Sequence, residues 1–456
     1  MSETNAKLKI AFIHPDLGIG GAERLVVDAA VGVQSKGHEA VIYTSHHDPN
    51  HCFEETRNGT LSVRVCGDFL PREMFGKFYI VCAMLRQFVL MLWILWNERH
   101  TYDVFFVDQL SMCVPFLKWF TTSKVLFYCH FPDKMLSKRD SKLKELYRIP
   151  IDILEEWTTG KADTITVNSQ FTAGIFRKSF KSILKTPRVL YPPINFALYD
   201  RQVDMLDSSV QSLETHKKIF LSINRFERKK NVELALRAFA GLKQLIPKDT
   251  FDECRLVLAG GYDRRVTENV EYLNELDTLA RETFGLETFI IHPSSTEKPP
   301  NTAQVVFLCS FNDAQRTYLL SASIALLYTP SNEHFGIVPV EAMYASLPVI
   351  AANSGGPLES VVDKQTGLIL PPEPELWAKG MCDILTSKYD RQEMGKAGHE
   401  RVKNKFSLEA FADQLEDILE ELASGGRPSK YEYDNVEYVM RIIMAVAIFI
   451  IWYKYW

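Results

Sequence analysis

The chain has 456 residues, of which 46% are hydrophobic and 24% charged, and its formal net charge is −5. This length allows two or three domains with large apolar cores. The small negative charge excludes a protein that binds nucleic acid by bulk electrostatics. The eight cysteines are scattered without metal-binding spacing, which predicts reduced thiols in a cytosol-facing protein. Residues 1–9 are polar, so no cleaved signal peptide is expected.

The first half of the chain begins with a predicted strand, a glycine-rich turn and a helix. An apolar strand over residues 7–13 runs into a turn that contains Gly18, Gly20 and Gly21. A helix that follows such a turn can hold a phosphate group on its first amides. Because the glycine spacing departs from the dinucleotide-binding fingerprint, a plain strand–helix turn remains the alternative.

Residues 78–97 form the most apolar predicted helix of the first half. Arg86 and Gln87 divide this helix into shorter apolar runs. A spanning helix needs about 20 consecutive apolar residues. Three interpretations therefore stay open: a buried core helix, an interfacial or re-entrant membrane helix, and a true membrane span.

Two further strands are predicted over residues 104–107 and 124–128, and His130 follows the second of them. Ligands of open α/β sheets gather at the carboxyl ends of the strands. This position favours a functional role for His130 over a structural one. Residues 134–148 contain six basic and two acidic side chains. They form either a solvated helix face or a surface for anionic lipid or an acceptor diphosphate.

A polar segment over residues 200–216 marks the predicted boundary between two lobes. A second strand–helix series begins with a strand over residues 219–223, and Arg225 and Lys230 lie in the turn that follows it. Two cations at such a turn can bracket a diphosphate and stabilise its departure. A solvated basic turn is the alternative when this pair is considered alone.

Glu333 and Glu341 stand eight positions apart around a turn that contains Gly336. The next helix is expected to begin near Pro339, since proline is favoured in a first helical turn. Glu333 would then precede the helix and Glu341 would lie in its first turn. Both carboxylates could face one pocket beside the helix amides. For the pair alone, solvated side chains remain the alternative.

The sequence around this pair resembles the E-x7-E motif of the retaining glycosyltransferases of family 4. The resemblance includes His334 and Phe335 within the motif and the glycine-rich residues 354–359 after the next strand. It implies that Glu341 binds the nucleotide ribose and that Glu333 and His334 face the donor sugar. Backbone amides of the residues that follow would meet the sugar and phosphate, and these are Phe335, Gly336 and Ile337.

The turn with Gly20 and Gly21 is similar to the first loop of the same family, where it faces the donor diphosphate and the acceptor. The resemblance therefore implies one set of catalytic residues and one set of donor-binding residues. The predicted catalytic residues are Glu333, His334, His130, Lys230 and Arg225. The predicted donor-binding residues are Gly20, Gly21, Arg225, Lys230, Phe335, Gly336, Ile337 and Glu341.

The fold that the resemblance implies is α/β with the GT-B architecture, in which two Rossmann-like lobes face each other across a cleft. Residues 1–199 are the predicted acceptor lobe, completed by a crossover helix over residues 406–423. Residues 216–405 are the predicted donor lobe. Residues 430–456 are apolar and end in a cluster of aromatic residues. They predict a membrane-associated C-terminal helix.

Within family 4, residues 130–133 and 222–231 resemble the mannosyltransferases of the dolichol-linked oligosaccharide pathway. This implies transfer of mannose from GDP-mannose to a dolichyl-diphosphate-linked acceptor, with α-1,3 and α-1,6 linkages. It also implies the cytosolic face of the endoplasmic reticulum membrane, with other early mannosyltransferases of the pathway as candidate partners. No D-x-D triplet occurs in the sequence, so neither a cofactor nor a catalytic metal is expected. A different lipid-acceptor enzyme of family 4 and a catalytically silent membrane scaffold remain the alternatives.

Overall fold

A computed structural model describes residues 7–425 except 75, 138, 140, 201, 294 and 296. The predicted apolar tail over residues 430–456 lies outside the described residues.

The first sheet is parallel throughout and has the strand order β3-β2-β1-β4-β5-β6-β7. Its strands are β1 (Lys9–Leu17), β2 (Glu39–His47), β3 (Ser62–Val65), β4 (Val104–Asp108), β5 (Lys124–Cys129), β6 (Thr164–Val167) and β7 (Arg188–Val189). The helices of this half are α1 (Gly21–Ser35), α2 (Tyr79–Asn97), α3 (Val114–Phe120), α4 (Asp133–Leu136), α5 (Lys142–Gly160) and α6 (Gln170–Ser179).

The second sheet is also parallel, with the order β10-β11-β9-β8-β12-β13-β14. Its strands are β8 (Lys218–Ile223), β9 (Cys254–Gly260), β10 (Thr288–Ile291), β11 (Val305–Cys309), β12 (Ser323–Tyr328), β13 (Val349–Ala352) and β14 (Gly367–Leu370). The later helices are α7 (Ser208–Gln211), α8 (Val232–Leu242), α9 (Lys248–Asp252), α10 (Thr267–Thr278), α11 (Asp313–Ala322), α12 (Ile337–Tyr344), α13 (Pro357–Ser360), α14 (Pro374–Leu385), α15 (Arg391–Lys405) and α16 (Leu408–Ser424).

Each sheet has a separate apolar core on each of its two faces, because its strands are buried on both sides by helices. The helix α16 leaves the second half and packs Phe411, Leu415 and Leu419 into the core of the first sheet. The fold is therefore two Rossmann-like lobes, and the predicted two-lobed architecture is confirmed.

The strand β7 is only Arg188–Val189, because Pro192 and Pro193 have no amide hydrogen for a sheet. Two details differ from the sequence prediction. The edge strands β10 and β14 were not predicted. The crossover helix begins at Leu408, since Ser407 caps it by accepting a hydrogen bond from the Ala410 amide at 3.0 Å.

Among the described helices, α2 alone is long and apolar enough to cross a membrane by length and composition. Its buried face carries the two polar residues that divide it. The Arg86 guanidinium donates to Asp16 at 2.8 Å and to the Ser45 carbonyl at 3.1 Å, and Gln87 donates to the Leu110 carbonyl at 2.6 Å. These contacts fix one face of α2 against the first lobe, and its other face, with Trp96, is exposed.

Candidate functional site between the two lobes

The donor-lobe side of the cleft is built by the turn between β12 and α12. Gly336 has φ +77°, and a Cβ added there would lie 2.9 Å from the Tyr328 hydroxyl. A glycine is therefore required at the start of α12. The helix begins at Ile337 rather than near Pro339, so Glu341 lies in its second turn and not in its first as expected.

Lys230 and Glu333 meet at the mouth of this turn. The Lys230 ammonium lies 2.6 Å from Glu333 Oε1, and both side chains are largely buried. The Thr329 hydroxyl donates to the Lys230 carbonyl at 2.8 Å, which ties the basic turn to the end of β12. Burial, and then the charges of Glu333 and Glu341, raise the pKa of the Tyr328 hydroxyl well above its usual range. Tyr328 thus stays a neutral donor beneath the carboxylates.

Glu341 is held by two residues that the sequence analysis did not single out. The Tyr199 hydroxyl donates to Glu341 Oε1 at 2.5 Å, and the Arg316 guanidinium lies 3.8 Å from the same oxygen. Arg316 also lies over the Tyr199 ring, 5.0 Å from its centroid. No local motif indicates these contacts, because Tyr199 belongs to the linker between the lobes and Arg316 to α11.

Arg225 pairs with a different carboxylate from Lys230. Its guanidinium lies 2.9 Å from Glu227 and is more than half exposed. Lys229 contacts the other oxygen of Glu227 at 3.1 Å. Joint binding of one diphosphate by Arg225 and Lys230 stays a prediction. Such binding requires the Arg225 side chain to move away from Glu227.

His334 spans the cleft to the other lobe. Its ring stacks on Phe131 with 3.7 Å between centroids and 10° between planes. The Ser169 hydroxyl donates to the His334 carbonyl. Burial lowers the pKa of His334, the Glu333 carboxylate only partly opposes this, and the positive charge of Lys230 lowers the pKa further, so the imidazole is neutral at pH 7.

The acceptor-lobe side is formed by the carboxyl ends of β1, β4 and β5. His130 Nε2 lies 2.7 Å from Asp108 Oδ1, and His14 Nδ1 donates to Asp108 Oδ2 at 2.7 Å. Asp108 and His14 are fully buried. His130 was predicted at this edge from the sequence, but no role was predicted for Asp108 or His14. Their positions directly after the strands predicted over residues 7–13 and 104–107 were the available signal.

Gly20 and Gly21 lie at the amino terminus of α1, as the sequence analysis expected. Gly20 precedes the helix in extended conformation, and Gly21 is its first residue. Glu23 follows in the first turn, with Oε1 4.0 Å from His14 Nε2. The predicted loop therefore lies next to the Asp108 group.

The site thus combines the partly buried Lys230, the carboxylates Glu333 and Glu341, and two histidines with helix amides in a cleft between two Rossmann-like lobes. A neutral imidazole and helix amides can bind sugar hydroxyls, and Lys230 can bind an anion. The amides of the first turn of α12 lie between Glu333 and Glu341 in the chain. The fold and the site define a GT-B glycosyltransferase.

Comparison with known proteins narrows this class. Residues 19–198 match the model of Glycosyltransferase Family 4, and residues 206–401 match that of Glycosyl transferases group 1. The chain is similar to the α-1,3/1,6-mannosyltransferase ALG2 of Rhizomucor pusillus, with 66% identity over 92% of this chain and 93% of that one. Identity to the human protein of the same name is 46%, over 90% and 95% of the two chains. The chain belongs to the α-1,3/1,6-mannosyltransferase family of glycosyltransferases.

Solved structures agree on the fold. A sucrose-phosphate synthase from Thermosynechococcus elongatus has a TM-score of 0.67 at 21% identity, covering 91% of this chain and 99% of that one. The lipopolysaccharide glycosyltransferase WaaG has a TM-score of 0.60 at 17% identity, covering 91% and 100%.

Proposed function

We propose that this mannosyltransferase moves mannose from GDP-mannose to a lipid-linked Man-GlcNAc2 acceptor on dolichyl diphosphate, forming α-1,3 and α-1,6 linkages in the synthesis of the N-glycan precursor. The observation that supports this best is the Lys230–Glu333 contact of 2.6 Å beside the first turn of α12. An anionic diphosphate and a sugar can both be bound at this point. The family membership supports mannose as the sugar.

The proposed reaction retains the anomeric configuration. The bond between the mannose C1 and the GDP oxygen breaks, and the acceptor hydroxyl attacks from the face that GDP leaves. The hydroxyl proton ends on the departing diphosphate. Lys230 and the amides of Phe335, Gly336 and Ile337 stabilise the negative charge that develops there. Glu341 binds the ribose, and the step needs no metal or other cofactor.

Replacement of Lys230 tests this assignment. Lys230→Ala removes the cation that contacts Glu333, so transfer from GDP-mannose should fall by at least about a hundredfold. The matched control is Lys229→Ala, because Lys229 is the exposed neighbour that contacts Glu227. Product formation is measured with both variants after thermal unfolding has shown that each is folded. Near-normal transfer by Lys230→Ala would remove the diphosphate role.

We also propose that the protein works on the cytosolic face of the endoplasmic reticulum membrane, with the first lobe against the lipid. The support is a row of exposed apolar residues on α5, formed by Leu143, Leu146 and Ile153. The row continues onto the start of α2, because the Phe78 and Tyr147 rings lie 5.4 Å apart. Lys142 and Lys144, both exposed, are neighbours of Leu143 in the sequence, which favours anionic lipid. Other early mannosyltransferases of the pathway are proposed partners at this membrane.

A vesicle assay tests this orientation. Leu143→Ser with Leu146→Ser should weaken flotation of the full chain with vesicles that contain phosphatidylserine, since each change removes apolar area from the lipid contact. Leu206→Ser is the control, because Leu206 is as exposed as Leu143 but lies on the linker. Equal flotation of both variants would contradict a lipid contact through α5.

A further inference from the structure

The loop after β5 carries one of the contacts between the two lobes. Phe131 in this loop stacks on His334 of the donor lobe, with 3.7 Å between the ring centroids. Two residues later the loop enters the short helix α4 at Asp133. The position of the Phe131 ring in the cleft therefore depends on what holds the backbone on either side of it.

On the side that follows Phe131, the backbone is held by Glu155 of α5. One Glu155 oxygen accepts a hydrogen bond from the Asp133 amide at 2.6 Å, and the other accepts one from the Lys134 amide at 3.0 Å. The first amides of a helix have no acceptor within the helix, so a side chain that binds two of them fixes where the helix starts. Glu155 thus determines where the loop ends and α4 begins.

Two further contacts complete the anchorage of the loop. Arg148 is 5% exposed, and its guanidinium donates to Asp133 Oδ2 at 2.7 Å and to Asp152 Oδ1 at 2.9 Å. On the side that precedes Phe131, the side-chain amide of Asn168 donates to the His130 carbonyl at 3.0 Å. Phe131 therefore lies between two fixed points of the backbone.

The adjacent carboxylate, Glu156, makes contacts of similar length elsewhere. It accepts the Ser182 amide at 2.8 Å and the Ser182 hydroxyl at 2.7 Å, and it contacts the Lys134 ammonium at 3.1 Å. Among the described residues, Glu156 accepts no backbone amide of the loop or of α4. Glu155 and Glu156 are therefore neighbours on one helix of which only the first anchors the loop backbone.

The groups that face Glu155 make its charge sensitive to pH near neutrality. Burial and the negative charge of Asp133 raise the pKa of Glu155 to about 7, and the two amides and Arg148 only partly oppose this. Burial also raises the pKa of the nearby Cys129 thiol, which is therefore neutral. When the pH falls below about 7, a proton is added to a carboxylate oxygen that faces an amide hydrogen, so the anchorage weakens.

We propose that Glu155 is a positioning residue for mannosyl transfer, whose carboxylate fixes the start of α4 so that Phe131 holds the His334 ring in place in the cleft. Glu155 acts through the loop backbone and not through contact with the substrate. This inference rests on the proposed function for the reaction, and on the predicted position of His334 beside the donor sugar.

Glu155→Gln tests the proposal at the level of turnover. Glutamine has the size of glutamate but offers one acceptor oxygen, and its NH2 group faces the second amide as another donor. The kcat for transfer from GDP-mannose should fall about tenfold at pH 8, the effect of one lost charged hydrogen bond. The kcat of the wild type should rise with pH through about 7, and this rise should be lost in Glu155→Gln because glutamine does not titrate.

The matched control is Glu156→Gln, which changes the neighbouring carboxylate of the same helix. Its kcat should stay within about twofold of the wild type and should keep the rise with pH. Thermal unfolding shows first that each variant is folded. A Glu155→Gln protein with the kcat of the wild type, or with the same rise with pH, would overturn the proposal.

A double-mutant cycle shows whether Glu155 acts through Phe131. Phe131→Ala removes the ring that stacks on His334 and should itself lower kcat about fivefold. If both changes disrupt the same contact, the double variant should lose about tenfold in total, because losses through one contact do not multiply. A loss near the product of the two single effects, about fiftyfold, would overturn the proposal.

Hydrogen exchange measures the anchorage without any mannosyl transfer. In the full chain in detergent, the amides of residues 131–136 should exchange about tenfold faster in Glu155→Gln than in the wild type or in Glu156→Gln. In the wild type, their protection should be lower at pH 6 than at pH 8 after correction for the intrinsic exchange rate, and this comparison needs no variant. Equal protection in Glu155→Gln and the wild type, or at the two pH values, would overturn the proposal even if the protein transfers mannose.

Discussion

At the scale of single residues, the cleft holds its charged groups in place before any ligand binds. Lys230 contacts Glu333, Tyr199 donates to Glu341, and Asp108 contacts His130. Such contacts fix the rotamers of groups that must later meet a substrate. The side chains therefore lose most of their conformational entropy during folding and not when the substrate binds.

Tyr199→Phe should weaken donor binding. The change removes the 2.5 Å hydrogen bond to Glu341, so the carboxylate proposed to bind ribose is less well oriented. KM for GDP-mannose should rise about fivefold, with a smaller effect on kcat. Tyr102→Phe is the control, since its hydroxyl is bonded to Tyr43 in the first-lobe core. An unchanged KM in steady-state kinetics would count against the role of Tyr199.

At the scale of elements, α16 joins the end of the described chain to its beginning. Ala412 packs against Gly32 of α1, and Leu415 is fully buried in the first-lobe core. An ion pair between Lys36 and Asp413 lies at the edge of the same contact. The first lobe is therefore complete only when the far end of the chain has docked.

Leu415→Ala should lower the free energy of unfolding of the first lobe by about 2–5 kcal/mol, because it leaves a cavity in a closed core. Gln414→Ala, on the exposed side of the same helix, should change it by less than about 0.5 kcal/mol. Denaturant unfolding measures both. A loss of similar size in the two variants would show that α16 does not complete this core.

At the scale of the whole molecule, a carboxylate of one lobe caps a helix of the other. Glu359 accepts the amides of Gln170 and Phe171, both at 2.8 Å, at the amino terminus of α6. It also accepts the Tyr191 hydroxyl at 3.0 Å. A negative charge at a helix amino terminus is favourable. Together with the stacking of Phe131 on His334, this contact holds the lobes close.

Glu359→Ala should let the lobes separate more readily, since two helix amides lose their acceptor. Small-angle scattering should give a larger radius of gyration, and transfer should slow several-fold, about the effect of one lost charged hydrogen bond. Glu375→Ala, an exposed change on α14, should leave both quantities unchanged. A Glu359→Ala protein as compact and as active as the wild type would contradict this role.

Local patterns predicted much of this molecule. The alternation of apolar strands and helices indicated two parallel sheets, and strand ends located His130. The predicted start of α12 was wrong by two residues, because the helix begins at Ile337, directly after Gly336, and not near Pro339. Tyr199 and Glu359 were missed as partners, since each contacts a residue more than 140 positions away. Such contacts depend on how the elements pack and leave no periodic signal in the sequence.

The proposed function requires that this one chain transfers mannose in two linkages. The most direct measurement incubates the full-length protein in lipid with GDP-mannose and a lipid-linked single-mannose chitobiose diphosphate, without added metal, and weighs the released glycan. We expect a gain of two hexoses, one linked α-1,3 and one α-1,6. A gain of one hexose would contradict the dual linkage, and no gain from GDP-mannose would contradict the proposed function itself.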